Sequence, residues 1–153
     1  MKRILFLLAT IALGACNLDT TPTDVPDNPS NPATETFAAN LNIDLTKFTK
    51  TTNGVYYFDI KPGTGTTLTG SPSIAFTYGG FLKDGSQFDA SAGTPLIPLS
   101  GLIFGFQEGL QGMKVGGERM LVIPSELGYQ NQNRPGIPPN STLVFDVILN
   151  TIS

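Results

Sequence analysis

The chain has 153 residues, 40% of them hydrophobic and 14% charged, which is apolar material for one core and not comfortably for two. Histidine is absent and cysteine occurs once, which removes the usual base of hydrolytic triads, the commonest metal ligand and any intramolecular disulfide. A net charge of −3 offers nothing basic to nucleic acid, and 17 Gly with 12 Pro favour short elements joined by tight turns.

Lys2 and Arg3 precede the apolar run Ile4 to Ala12 and then LGAC, Leu13 to Cys16, the pattern of an export signal over residues 1–15. The run falls short of the roughly 20 apolar residues that a membrane span needs, and polar Asn17 and Asp19 follow closely. LGAC resembles a bacterial lipobox. The resemblance implies a lipidated Cys16, cleavage before it, and a domain tethered to a membrane of the cell envelope on the extracytoplasmic side. The alternative is an ordinary secretory signal with an incidental cysteine. Several acyl chains on one residue hold a protein stably where a single chain holds it marginally. Two of the nine Lys and Arg lie in the signal, so beyond it seven basic side chains face twelve acidic ones and the net charge is −5. Residues 16–40 are rich in Thr, Pro, Asn and Asp and nearly free of apolar side chains, which predicts a disordered linker. As a flexible coil it reaches roughly 25 to 30 Å. The folded domain is expected over 41–153.

Within that domain strand signals recur. GVYYFDI (54–60) is followed by a turn-rich stretch, and IAFTYGGFL (74–82) alternates, placing Ile74, Phe76 and Tyr78 on one face. Asp84 and Gly85 suit a tight hairpin turn, read here as a turn and nothing more. LIFGFQEGLQGM (102–113) is the only plausible helix, with Ile103, Phe106, Leu110 and Met113 on one stripe and with Gly105 and Gly109 weakening it by about 1 kcal/mol each relative to Ala. GGERMLVIP (116–124) and STLVFDVILNTI (141–152) complete the strands. GTGTTLTG lacks the lysine and the following helix of a phosphate loop. The fold class is α+β: a curved antiparallel sheet wrapped around one short helix.

Three stretches in order, FTYGGFLKDGSQFDAS, PLIPLSGLIFGFQEGLQGMKVGGERMLVIPSELGY and RPGIPPNSTLVFDV, resemble an FKBP-type peptidyl-prolyl cis-trans isomerase domain over roughly residues 54–153. The resemblance implies substrate-binding roles for Tyr78, Phe88, Leu102, Ile103, Phe106, Ile137 and Phe145, and catalytic roles for Tyr129 and Asp89. Phe106 stands where the family often has a tryptophan, and Pro95 or Leu96 where some members have an aromatic wall. Leu127 and Arg134 fall in the family's variable flap. Partners implied are proline-containing unfolded or folding polypeptides and macrolide inhibitors, with no cofactor, no metal and no nucleic acid. No long helix precedes the domain to dimerise through, so a monomer is expected.

Rotating an Xaa-Pro bond breaks amide resonance against a barrier of about 18 to 20 kcal/mol and needs no nucleophile or metal. A site that sheds water and holds the amide half-turned lowers that barrier. In GIPPNSTLVFDV (136–147), the rigid prolines are expected to hold Ile137 as one wall of an apolar pocket, with Phe145, Ile103 and Phe106 as its floor. The Tyr129 hydroxyl is the candidate donor to the substrate carbonyl. Two roles are open to Asp89, contact with the twisted carbonyl carbon or fixing of its neighbours, and the second is favoured. The alternative function is a membrane-anchored, proline-binding chaperone or interaction module of the same fold with little turnover.

Overall fold

The computed structural model describes residues 28–153. The export signal, Cys16 and the first part of the linker lie outside the described residues. No helix among the described residues is long and apolar enough to cross a membrane.

Seven strands form one antiparallel sheet: β1 (Thr49–Lys50), β2 (Tyr56–Lys61), β3 (Ser73–Leu82), β4 (Gln87–Ser91), β5 (Ile97–Pro98), β6 (Glu118–Ile123) and β7 (Leu143–Ile152). Their order is β1-β2-β6-β7-β3-β4, with β5 pairing the start of β3. The ten-residue strand β7 is central because its β-branched and aromatic residues bury on both faces. Leu143, Phe145, Val147 and Leu149 join the main core, while Val144 joins a second cluster with Tyr56 and Val122 on the opposite face. Extra residues shift the register in β2–β6, β3–β7 and β3–β4, and such bulges bend a sheet.

The single α-helix, α1 (Phe104–Gly109), is shorter than the 102–113 stripe predicts. The stripe nevertheless buries as a unit: Phe106, Leu110 and Met113 are core residues and Ile103 packs against them. The last two reach the core from a turn that Gly112, at φ +76°, allows in place of further helix. Gly105 and Gly109 have a purpose that propensity alone hides. A Cβ on Gly105 would lie 2.3 Å from Ile123 Cγ2, and one on Gly109 would lie 2.8 Å from Leu121 Cδ2. The helix therefore lies directly on β6. Gly105→Ala is expected to destabilise the fold by about 1 to 3 kcal/mol through overpacking, against the gain in helix propensity, and urea unfolding measures it. A variant as stable as the parent would show that the helix can lift off the sheet without loss.

The expected disordered linker is corrected from residue 28 onward. Pro32–Thr34, Ala39–Leu41 and Leu45–Lys47 form 3-10 turns, and Phe37, Leu41, Ile43, Leu45 and Phe48 cover the outer face of the sheet. Composition concealed this. The apolar residues are few, but the sheet supplies an apolar surface onto which short turns can fold.

Candidate functional site

Phe76, Tyr78 and Gly80 share one face of β3 and look toward α1. Gly80 is a strand residue whose missing side chain matters: a Cβ there would meet Phe88 at 2.8 Å and Phe145 at 3.0 Å. Two rings lie against bare backbone as a result. Across β7, Phe145 faces the same way, and α1 contributes Phe106 from below.

β4 contains the local irregularity that makes the site. Gly80 pairs with Asp89 and Phe81 with Gln87, so Phe88 is an extra, unpaired residue. In a regular strand Phe88 and Asp89 would point to opposite faces, but here both line the same hollow.

The hollow has a volume of about 480 Å³, within the range of small-ligand sites. Its rings surround the space without filling it. Phe106 and Phe88 meet Phe145 edge-on at 5.3 and 5.6 Å, Phe76 lies 5.1 Å from Phe106, and Tyr78 lies 6.2 Å from Phe145. Edge-to-face contacts of this kind stabilise by about 0.5 to 1.5 kcal/mol each beyond area burial, and they hold the rings in fixed orientations. Leu102 and Ile103, entering α1, close another side.

Polar groups are few and restrained. The Tyr78 hydroxyl donates to Asp89 Oδ2 at 2.6 Å, and the Ala90 N–H donates to Asp89 Oδ1 at 2.9 Å. Burial, and then the bond to Asp89, pushes the Tyr78 phenol up to about 12, so it keeps its proton at neutral pH. Tyr129 differs. Its hydroxyl is bonded to no group among the described residues, while the Arg134 guanidinium lies over its ring at 4.2 Å. The Arg134 side chain also donates to Gln132 Oε1. A fixed phenol ring with a free donor thus faces an apolar hollow.

Of the residues named from sequence, Tyr78, Phe88, Asp89, Leu102, Ile103, Phe106, Tyr129 and Phe145 line the hollow together. Ile137 does not. It is 6% exposed within the main core, and its N–H and C=O are exchanged with those of Arg134. The expected wall is thus a support behind the wall, because the bridge to Arg134 and Gly136 at φ +77° turn the loop inward. Phe76, Thr94, Ile97 and Arg134 also face the hollow and were not named as site residues. Phe76 was accessible in principle, since it alternates with Tyr78. Ile97 had no periodic signal, being in a two-residue strand, and it takes the place expected of Pro95 or Leu96, the latter half exposed. No cluster of three or more metal-binding side chains occurs among the described residues.

A family model described as FKBP-type peptidyl-prolyl cis-trans isomerase matches residues 64–150. The FKBP-type peptidyl-prolyl cis-trans isomerase FkpA of Escherichia coli K12 is 48% identical over 99 residues, 63% of this chain and 37% of the relative. This chain therefore spans little more than a third of that relative's length. The crystal structure of FkpA from Escherichia coli superposes with a TM-score of 0.66 at 40% identity, covering 70% of this chain and 52% of the other. A peptidyl-prolyl cis-trans isomerase from Pseudomonas syringae pv. tomato gives 0.67 at 29% identity, covering 75% and 86%.

Proposed function

This chain belongs to the FKBP-type peptidyl-prolyl cis-trans isomerase family, and from that membership we propose that the hollow binds the proline ring of a polypeptide and accelerates rotation about the preceding peptide bond. The observation that carries this reading is an aromatic hollow that remains open, with one unengaged phenol at its edge.

The chemistry follows from what rotation requires. Resonance is lost as the amide twists, and water opposes that loss by hydrogen bonding to the planar, charge-separated form. Phe76, Phe88, Phe106 and Phe145 exclude water and bury the pyrrolidine ring, so the amide enters a medium that favours the twisted, less polar state. Each 1.36 kcal/mol of preference for that state is tenfold in rate. Tyr129 donates to the substrate carbonyl and holds it as the bond turns. Asp89 acts as a positioning group, its carboxylate tied to the Tyr78 hydroxyl and to the Ala90 N–H.

The clients in this reading are proline-containing segments of exported proteins, and the domain works in the cell envelope on a lipid-anchored Cys16. Support for the anchor is the LGAC pattern after a short apolar run. Macrolides that mimic a proline-containing ligand fit the same hollow. The domain acts as a monomer.

Full-length protein in an isomerisation assay on Xaa-Pro peptides tests the reading. Tyr129→Phe and Asp89→Val are each expected to lower kcat/KM by about tenfold, the loss of one aligned hydrogen bond, with little change in unfolding midpoint. Wild-type turnover in both would remove them from the site. Peptide binding by the parent without any turnover would move the reading to a proline-binding module.

A further inference from the structure

Residues 28–41 touch both rims of the hollow from behind. At one end, Ser30 and Ser125 form a reciprocal pair: the Ser30 N–H donates to Ser125 Oγ at 2.8 Å, and the Ser125 N–H donates to Ser30 Oγ at 2.7 Å. Ser125 is 1% exposed. Its carbonyl also accepts from the Gly128 and Gln130 N–H groups at 3.0 and 2.8 Å, the two turns on either side of Tyr129. Gln130 is in turn held at φ +56°, and its carbonyl accepts from the Asn140 N–H. Ser125 is therefore the hub from which the Tyr129 loop hangs, and half of its hydrogen bonds come from a residue 95 positions away.

Further along, the same segment grips the β3–β4 hairpin that leads into Phe88. The Ala38 N–H donates to the Lys83 carbonyl at 2.8 Å, and Lys83 Nζ pairs with Glu35 Oε1 at 3.1 Å. The Asn40 side chain lies over Gly85, where a Cβ would come within 2.4 Å of it. Leu41 then anchors the segment among Tyr56, Val122 and Val144. None of these residues lines the hollow.

We propose that residues 28–41 are a positioning strap, and that the Ser30–Ser125 pair sets the Tyr129 hydroxyl at the height the twisting amide requires. This rests on the isomerase reading for its kinetic consequence and on geometry alone for its mechanical one. Without Ser30 Oγ the Ser125 N–H has no acceptor in a site sealed from water, and the loop is released to find one. The rings of the floor are fixed by β3, β7 and α1, so substrate binding is preserved while alignment is lost.

The full chain carrying Ser30→Ala tests this, with Ser30→Thr as the conservative rescue. Amide hydrogen exchange at Gly128 to Gln132 is expected to quicken at least tenfold in Ser30→Ala while β6 is unchanged. On Xaa-Pro peptides kcat is expected to fall about fivefold with KM altered less than twofold, and Ser30→Thr to restore both readouts. In a Tyr129→Phe background Ser30→Ala is expected to cost nothing further, since both remove the same interaction. Unchanged exchange overturns the strap, and so does an additive loss in the double variant. Absence of turnover in the parent would defeat the isomerase reading instead, leaving exchange to decide the strap.

Discussion

Phe145→Ala is expected to abolish measurable turnover and to destabilise the domain by about 3 to 5 kcal/mol. Phe145 is 5% exposed at the centre of the ring cluster, meeting Phe88 and Phe106 edge-on and Tyr78 at 6.2 Å. Its backbone sits between Leu121 of β6 and Gly80 of β3, so truncation leaves a void that neither neighbouring strand can close. The loss compares with a total stability of about 5 to 15 kcal/mol for a domain of this kind. Phe145→Leu separates packing from ring geometry: it is expected to recover most of the stability and little of the turnover. Urea unfolding and isomerisation of all three proteins give the comparison. An alanine variant destabilised by less than about 1 kcal/mol would mean that the ring is not the floor of the hollow.

Arg119→Met is the second large effect, about 3 to 5 kcal/mol of stability. The guanidinium is buried, with the residue 4% exposed, and it lies over the Tyr57 ring at 4.4 Å. Nε and Nη2 donate to Asp59 at 2.6 and 3.1 Å, which looks like an ion pair and nothing more. Nη1, however, donates to the carbonyls of Gly109 and Gln111, the groups that the end of α1 leaves without helical partners. Burying two such carbonyls unmet is the dominant loss, at about 1 to 3 kcal/mol each. Asp59 has a side chain 41% exposed, so Asp59→Asn is expected to cost less than about 1 kcal/mol. Arg119→Lys should recover less than half, because one ammonium lacks the planar fork needed for both jobs. Thermal unfolding of the three variants decides the matter. Equal losses at Arg119 and Asp59 would return the weight to the ion pair.

Much of this was legible from residue order alone, for identifiable reasons. Strands β2, β3, β6 and β7 were found because their alternation is a local property, visible wherever one face is apolar. The helical stripe was found for the same reason, although its second half buries through a turn. What stayed hidden depends on partners distant in sequence. The bulge at Phe88 is defined only by its register with β3, and Phe-Asp spelled in sequence says nothing about it. Ile137 looked like a wall because it tips a stiff loop, but the direction of that tip is set by its bridge to Arg134. Ser30 was illegible for a stronger reason: in a stretch of Thr, Pro and Asn a serine is ordinary, and its meaning comes entirely from Ser125.

The place of β7 in the sheet has a consequence for how this molecule comes into being. It joins β6 to β3, and β3 pairs with it across some seventy positions of chain. Until residues 143–152 have left the ribosome, the earlier strands are two fragments with no common edge, and the closure entropy between them is unrewarded. Assembly is accordingly post-synthetic and concerted, dominated by non-local pairing. Through translation the chain remains extensible, the state in which a polypeptide is most readily threaded across a bilayer.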